Sequence, residues 1–109
     1  GVQLLGLGVN GHVGFNEPGC NPESECRVTA LAESTLERNG YKPDTRAITL
    51  GIAEIMSAQR IVMVATGAAK SSAIAEMINE PQSLNCPASL LRPHTDIKLF
   101  LDRAAAKNL

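Results

Sequence analysis

The feature that most constrains the fold is an apolar run that leads into a glycine-rich loop. Residues 2–7 have the composition of a buried β-strand. Residues 6–18, Gly-Leu-Gly-Val-Asn-Gly-His-Val-Gly-Phe-Asn-Glu-Pro, contain glycines that stop a helix and let the backbone turn tightly or approach a ligand. In open α/β sheets, ligands bind where loops leave the carboxyl ends of strands. The start of this chain therefore predicts a site.

The rest of the chain alternates strand-like and helix-like segments. Residues 60–67 are the clearest buried strand because apolar side chains are nearly continuous there, and residues 68–79 follow as a helix. A last strand lies within residues 96–102, and residues 104–109 start a helix or form a tail. The shorter segments are strands or helix entries at residues 27–31 and 46–52, and short helices at residues 32–39, 53–58 and 88–91. This alternation predicts an α/β fold, with a mostly parallel sheet flanked by helices in a Rossmann-like arrangement.

Composition excludes several classes of protein. The chain has 109 residues, of which 44% are apolar and 19% charged, as expected for one globular domain. The formal net charge is −1, lysines and arginines do not cluster, and aromatic residues make up only 3% of the chain. We therefore expect no nucleic-acid partner. No apolar run is long enough to cross a bilayer, so no membrane partner is expected.

The cysteines carry little functional signal. Cys20, Cys26 and Cys86 are odd in number and lack the paired spacing of metal ligands. Reduced thiols in a cytoplasmic protein are the expected state.

His12 is the first candidate for chemistry, because a histidine exchanges protons near neutral pH. Glu17 or the amide oxygen of Asn10 would hold one ring nitrogen and leave the other for a substrate. The alternative is that His12 only satisfies backbone groups of the loop. Residues 6–11 also spell Gly-x-Gly-x-x-Gly, but a poor helix start follows and no acidic residue ends a strand about 20 residues later. A dinucleotide site is therefore not expected.

A second candidate site follows the strand at residues 60–67. Residues 66–72, Thr-Gly-Ala-Ala-Lys-Ser-Ser, lead into a helix whose free amides attract anions, and Lys70 adds a positive charge. The spacing is not that of a nucleoside-triphosphate loop, so a simple phosphate group is the expected ligand. The alternative is a solvated lysine on an ordinary helix. If the two strands are parallel, both loops open on the same edge of the sheet.

These motifs resemble those of the glucosamine-6-phosphate deaminase/isomerase family, which includes galactosamine-6-phosphate relatives. Residues 6–18 match the family signature, and its Gly-Phe-Asn-Glu-Pro portion differs from the related 6-phosphogluconolactonases. The similarity continues through residues 27–29, 47–52, 60–67 and 70. It implies that residues 1–109 are the carboxyl-side part of a single domain of this family.

The resemblance implies isomerisation of a hexosamine 6-phosphate with loss of its 2-amino group as ammonia, without a metal or organic cofactor. In the family pattern, His12 assists opening of the pyranose ring by proton transfer at the ring oxygen, and Glu17 holds and tunes it. The remaining positions that the resemblance assigns are Asn10 beside the catalytic pair, Lys70, Gly11 and Gly67 in substrate binding, and Arg27 at the activator site of allosteric members.

Three positions depart from the family pattern. Asn10 replaces an aspartate of many members, which predicts a lower pKa for the histidine. An asparagine at this position also resembles the galactosamine-6-phosphate branch of the family. Tyr41 occupies the place of a phosphate-binding arginine, with Arg38 and Lys42 adjacent to it. Thr29 replaces a lysine of the activator site, which argues against control by an acetylated sugar phosphate.

The family's base for the proton at C2 is an aspartate from upstream sequence. The chain also opens on Gly1 and enters a strand at the second residue. We therefore expect a homo-oligomer or association with an upstream part of the domain, and no turnover by residues 1–109 alone. Two alternatives remain: a sugar-phosphate-binding sensor that keeps the fold without turnover, and a 6-phosphogluconolactonase.

Overall fold

The computed structural model describes residues 1–109, which form two small β-sheets and three α-helices. The strands are β1 (Val2–Leu5), β2 (Arg27–Ala30), β3 (Arg46–Thr49), β4 (Arg60–Ala65) and β5 (Ile97–Leu101). The helices are α1 (Glu33–Asn39), α2 (Ile52–Ser57) and α3 (Ser71–Asn79), and two 3-10 segments span Ala68–Lys70 and Pro87–Leu91. None of the helices is both long and apolar enough to traverse a bilayer.

The larger sheet has three strands in the order β1–β4–β5, and both neighbouring pairs are parallel. Leu5 pairs with Met63, which pairs in turn with Leu99. The prediction of an α/β fold with a mostly parallel sheet is confirmed. Because β1 and β4 run side by side in the same direction, the loops that follow them leave the same edge of the sheet.

Strands β2 and β3 form a separate antiparallel pair, with Val28 opposite Ile48. The sequence left residues 27–31 and 46–52 open between strand and helix entry; each contributes a four-residue strand, and α2 begins at Ile52. Burial alternates along β2, as in an antiparallel pair with one side toward solvent. The continuous apolar character typical of a parallel strand is absent here.

The hydrophobic core lies on one face of the parallel sheet. Strand β4 contributes Ile61, Met63 and Ala65 to this core. The helices contribute Ile52 and Ile55 from α2, Ala73, Ile74 and Met77 from α3, and Ala88 and Leu91 from the second 3-10 segment. The predicted apolar face of α3 is confirmed except at Ile78, which is 40% exposed.

The opposite face of the same sheet is uncovered. Val2, Leu4, Val64 and Phe100 are 66%, 67%, 45% and 56% exposed. The sequence predicted a fully buried strand at residues 60–67, but β4 is buried on one side only. The reason is that the helices of this chain pack on the core side.

Two helix boundaries follow from local signals. Helix α1 ends before Gly40, whose φ of 66° and amide hydrogen bond to the Glu37 carbonyl form the predicted stop. The helix predicted at residues 68–79 begins as the 3-10 turn Ala68–Lys70 and continues as α3. Residues 104–109 contain turns instead of a helix.

Candidate active site

A cavity of about 330 Å³ lies between the loop that follows β1, helix α1 and Lys70. Both loops that the sequence singled out therefore contribute to one site. Its polar wall consists of His12, Thr35, Arg38, Asn39, Tyr41 and Lys70.

The loop folds tightly beneath His12. The amide of Gly8 donates to the carbonyl of His12 at 2.9 Å, and the amide of Gly11 donates to the carbonyl of Gly8 at 3.0 Å. The imidazole lies against Gly8, where a Cβ atom would come within 2.2 Å of Nδ1. Gly11 has a φ of 87°, and a Cβ there would lie 2.8 Å from Sγ of Cys86. Both positions therefore require glycine, Gly8 for the ring above it and Gly11 for its backbone and its packing.

Two acceptor oxygens hold Nδ1 of His12. Oδ1 of Asn10 lies 2.8 Å away and Oε1 of Glu17 lies 2.9 Å away. The amide of Asn10 is oriented by donation from its Nδ2 to Ser34 Oγ at 3.2 Å. Because both partners accept, Nδ1 carries the proton, and Nε2 of the neutral ring is left with a lone pair and no partner in the chain.

The pKa of His12 is lowered from its ordinary value. Burial of the ring, whose side chain is 18% exposed, is the largest cause. The negative charge of Glu17 raises this pKa, and the positive charge of Lys70 lowers it. The ring is therefore neutral at pH 7, with a carboxylate beside it that stabilises the imidazolium when a proton arrives. A general base requires these two properties.

Glu17 also determines where α1 begins. Its Oε2 accepts the amide of Ala32 at 2.6 Å, and Ala32 is an N-cap residue without a side-chain cap of its own. On the first turn of α1, Oγ1 of the buried Thr35 lies 3.4 Å from Nδ1 of His12. One carboxylate thus orients both the histidine and the helix that forms another wall of the cavity.

The Gly-Phe-Asn-Glu-Pro portion anchors the loop through a buried amide. The Nδ2 of Asn16 donates to the carbonyls of Val13 and Leu50 at 2.9 and 2.8 Å. Its Oδ1 accepts a hydrogen bond from Arg27 at 2.9 Å. Arg27 therefore stabilises the loop through Asn16 and does not line the cavity. Its assignment to an activator site stays a prediction.

Lys70 and Arg38 bring positive charge to the cavity. The ammonium group of Lys70 donates to the carbonyl of Leu7 in the first loop. Burial is the main cause that lowers the pKa of Lys70, and the nearby charge of Arg38 adds to it. Neither cation forms an ion pair with a carboxylate. The site therefore presents uncompensated positive charge to a ligand.

Two of the predicted substrate positions lie away from the cavity wall. Gly11 is buried in the loop, and the amide of Gly67 donates to both carboxylate oxygens of Asp102 at 3.1 Å. Their roles stay predictions. The sequence did not assign Thr35 to the site and gave Arg38 only as a residue adjacent to the place of a phosphate-binding arginine. Their spacing of three residues on a predicted helix already indicated a shared face.

The cysteines lie outside the cavity, and all three are unpaired. Burial raises the pKa of the Cys20 and Cys86 thiols, which keeps both protonated near neutral pH. No three His, Cys, Asp or Glu side chains group as potential metal ligands.

Residues 1–100 match a family model described as glucosamine-6-phosphate isomerases/6-phosphogluconolactonase. The glucosamine-6-phosphate deaminases of Streptococcus thermophilus and Rhodopirellula baltica are 45% and 44% identical to the chain. These alignments cover 99% of the chain and 49% and 45% of the two relatives. The chain thus spans about half the length of the curated relatives that it matches.

Solved structures show the same relationship. A monomeric glucosamine-6-phosphate deaminase matches with a TM-score of 0.92 and 38% identity, over 99% of this chain and 47% of that protein. The 6-phosphogluconolactonase of Trypanosoma brucei matches with a TM-score of 0.79 and 30% identity, over 99% of this chain and 41% of that protein. The resemblance inferred from the motifs is confirmed: the chain belongs to the glucosamine-6-phosphate isomerase/6-phosphogluconolactonase family.

Proposed function

We propose that this chain is the histidine-bearing part of a hexosamine-6-phosphate deaminase/isomerase. The substrate would be glucosamine 6-phosphate or galactosamine 6-phosphate, and the products a ketose 6-phosphate and ammonia. The observation that carries this proposal is the state of His12: Asn10 and Glu17 hold its Nδ1 at 2.8 and 2.9 Å, and its Nε2 is free. The similarity to proteins named glucosamine-6-phosphate deaminases supports the choice of substrate.

His12 would open the sugar ring by moving one proton between two oxygens. The neutral Nε2 accepts the proton of the anomeric hydroxyl, the bond between C1 and the ring oxygen breaks, and the imidazolium returns the proton to that oxygen. Glu17 stabilises the imidazolium during the transfer, since its carboxylate oxygen lies 2.9 Å from Nδ1. The product is the open-chain aldehyde, and no proton is consumed.

Lys70 would bind the phosphate of the substrate, since its ammonium group lines the same cavity as His12. The later steps, transfer of the C2 proton and loss of ammonia, need a base that we expect from the part of the domain that these residues do not include. We therefore expect the 109 residues to bind a sugar phosphate without turning it over.

We also propose that residues 1–109 are the carboxyl-side part of one domain, whose other part covers the bare face of the parallel sheet. Parallel sheets are normally covered on both faces, yet Leu4 and Phe100 on this face are 67% and 56% exposed. The chain's match to only 49% of the Streptococcus thermophilus relative supports this partner. A stable homodimer of the isolated chain would instead favour a second copy on the face.

The two alternatives predict different products. A lactonase would use Nε2 of His12 to activate water, and a sensor would bind a sugar phosphate without reaction. The deaminase is favoured because Phe15 lines the cavity and Glu17, two residues later, holds the histidine. Both residues belong to the portion of the motif that distinguishes deaminases from lactonases.

The test uses a joined protein, in which this chain replaces the matching half of the Streptococcus thermophilus relative. Ammonia release is measured with glucosamine 6-phosphate and galactosamine 6-phosphate, and lactone hydrolysis is measured in parallel. The His12→Asn variant should lose about 10²- to 10⁴-fold in rate, as expected for a general acid–base group. The matched His94→Asn variant should keep its rate, because His94 does not line the cavity.

Each result decides between the candidates. Equal rates for the unchanged protein and His12→Asn would remove His12 from the mechanism. Binding without ammonia from either sugar would favour the sensor, and lactone hydrolysis alone would favour the lactonase.

A further inference from the structure

Helix α1 presents a second cation to the cavity. Arg38 lies three residues after Thr35, so both side chains share one face of the helix. Thr35 is buried with its hydroxyl 3.4 Å from Nδ1 of His12, and both Thr35 and Arg38 line the cavity. The Arg38 guanidinium makes no hydrogen bond or ion pair within the chain. It is therefore available to a ligand.

The charges around the cavity lack compensation. Arg38 and Lys70 line the same space, and the charge of Arg38 acts on Lys70 closely enough to lower its pKa. No aspartate or glutamate lines the cavity, and the carboxylate of Glu17, which contacts His12 and the amide of Ala32, forms no ion pair with either cation. Two like charges at one cavity repel each other, and an anion with two negative charges would offset this repulsion.

We propose that Arg38 is a further phosphate-binding residue, which acts with Lys70 on the phosphate group of the ligand. The identity of the sugar rests on the proposed function, whereas the binding of a phosphate group by Arg38 does not. A guanidinium presents a planar fork of donors that matches two phosphate oxygens, whereas an ammonium acts as a point charge. Arg38 would thus orient the phosphate, and Lys70 would add to its affinity.

The hydrogen bonds of α1 explain how its position is held. The amide of Ala32 donates to Glu17 at 2.6 Å, and Ser34 accepts from Asn10 at 3.2 Å. The same two side chains hold Nδ1 of His12. The position of Arg38 is therefore coupled to the position of the imidazole, so that the phosphate end and the reacting end of a sugar would be located together.

The test measures binding to the 109-residue chain by NMR titration and calorimetry. The probes are inorganic phosphate, glucosamine 6-phosphate and glucosamine, which lacks the phosphate. Arg38→Ala should weaken binding of inorganic phosphate about tenfold or more, as expected for loss of charge-assisted hydrogen bonds. Arg38→Lys should recover only part of this loss, because an ammonium cannot form the bidentate contact.

Lys42→Ala is the matched control. It removes an exposed cation four residues away that does not line the cavity, so phosphate affinity should not change. Circular dichroism checks that the variants fold, which is expected because the exposed Arg38 side chain forms no hydrogen bond or ion pair within the chain. Arg38→Gln, which keeps a polar side chain able to form hydrogen bonds, provides a second variant without the charge.

The outcomes separate this inference from the proposed function. Unchanged phosphate affinity in Arg38→Ala and Arg38→Gln, an equal loss in Lys42→Ala, or no phosphate binding by the unchanged chain would overturn the inference. If binding depends on Arg38 but glucosamine 6-phosphate binds no better than inorganic phosphate, the anion site stands and the hexosamine proposal fails. If glucosamine 6-phosphate binds tightly and the Arg38 variants bind it equally well, the hexosamine proposal stands and the role of Arg38 fails.

Discussion

The two histidines of the chain differ in what their second ring nitrogen does. In His94, Nε2 donates to the carbonyl of Ala58 at 2.6 Å and Nδ1 accepts the amide of Asp96 at 3.0 Å. Both nitrogens of His94 are therefore used to join backbone segments. In His12, both acceptors converge on Nδ1 and Nε2 stays free.

The comparison shows that burial does not distinguish the two histidines, whereas the use of their ring nitrogens does. Both residues are partly buried and both are fixed by hydrogen bonds. The difference is that the hydrogen bonds of His94 leave it no proton-transfer capacity, whereas those of His12 orient the ring and leave one basic nitrogen at a cavity. The region around His94 should thus contribute to stability, and the region around His12 to chemistry.

Gly8→Ala should break the His12 region with the largest effect. A Cβ at position 8 would come within 2.2 Å of the imidazole, so the ring must move. We expect ammonia release by the joined protein to fall by roughly 100-fold, the cost of misplacing a reacting group by about 1 Å. Gly6→Ala is the control, because a Cβ there meets no atom within 4 Å. Equal rates for the two variants would mean that contact with Gly8 does not position the ring.

His94→Ala should produce the opposite pattern, a loss of stability without a loss of function. It leaves the carbonyl of Ala58 and the amide of Asp96 without their partner, which should lower the free energy of unfolding by about 1–3 kcal/mol. Chemical denaturation measures this change, and phosphate affinity should be unchanged. Thr95→Ala, at an exposed neighbour, should shift stability by less than about 0.5 kcal/mol. Weaker phosphate binding in His94→Ala would argue against separate roles for the two regions.

The charge around Nδ1 should tune His12 in two directions. Asn10→Asp introduces a negative charge 2.8 Å from Nδ1, which should raise the pKa of His12. Glu17→Gln removes the charge that now raises this pKa, which should lower it further. NMR titration of the ring protons measures both shifts. A shift of the same sign in both variants would show that the charge of these neighbours does not control the ring.

The smallest expected effect is the change in folding stability with pH that protonation of His12 causes. Because burial lowers the pKa of His12 in the folded chain, the unfolded chain binds more protons as the pH falls. The stability contributed by the neutral ring is complete above the ordinary pKa of about 6.5 and is lost as the pH falls through the lowered folded-state pKa. Unfolding of the unchanged chain and of His12→Asn, followed across this range, isolates the effect. It would be contradicted if the unchanged chain gained stability relative to His12→Asn on acidification.

The fold could be predicted from the sequence where local patterns were strong. The apolar runs that became β1 and β4 and the apolar face of α3 follow from periodicity and composition. Gly40 marked the end of α1 because a left-handed residue at that position favours glycine. The β2–β3 pair could not be assigned, because a short alternating segment does not reveal which partner strand it will find.

The sequence by itself determined the chemistry of the loop, since a histidine, an asparagine and a glutamate within residues 10–17 already limit which groups can touch an imidazole. Tertiary structure alone decided which other groups surround the cavity. Arg38 enters it from a helix, whereas the amide of Gly67 is taken by Asp102, 35 residues away. Tertiary structure also decided that one face of β4 is uncovered, because the helices pack on the other face. The physical reason is the same in each case: a side chain's type is local, but its partners are residues that only the folded backbone brings together.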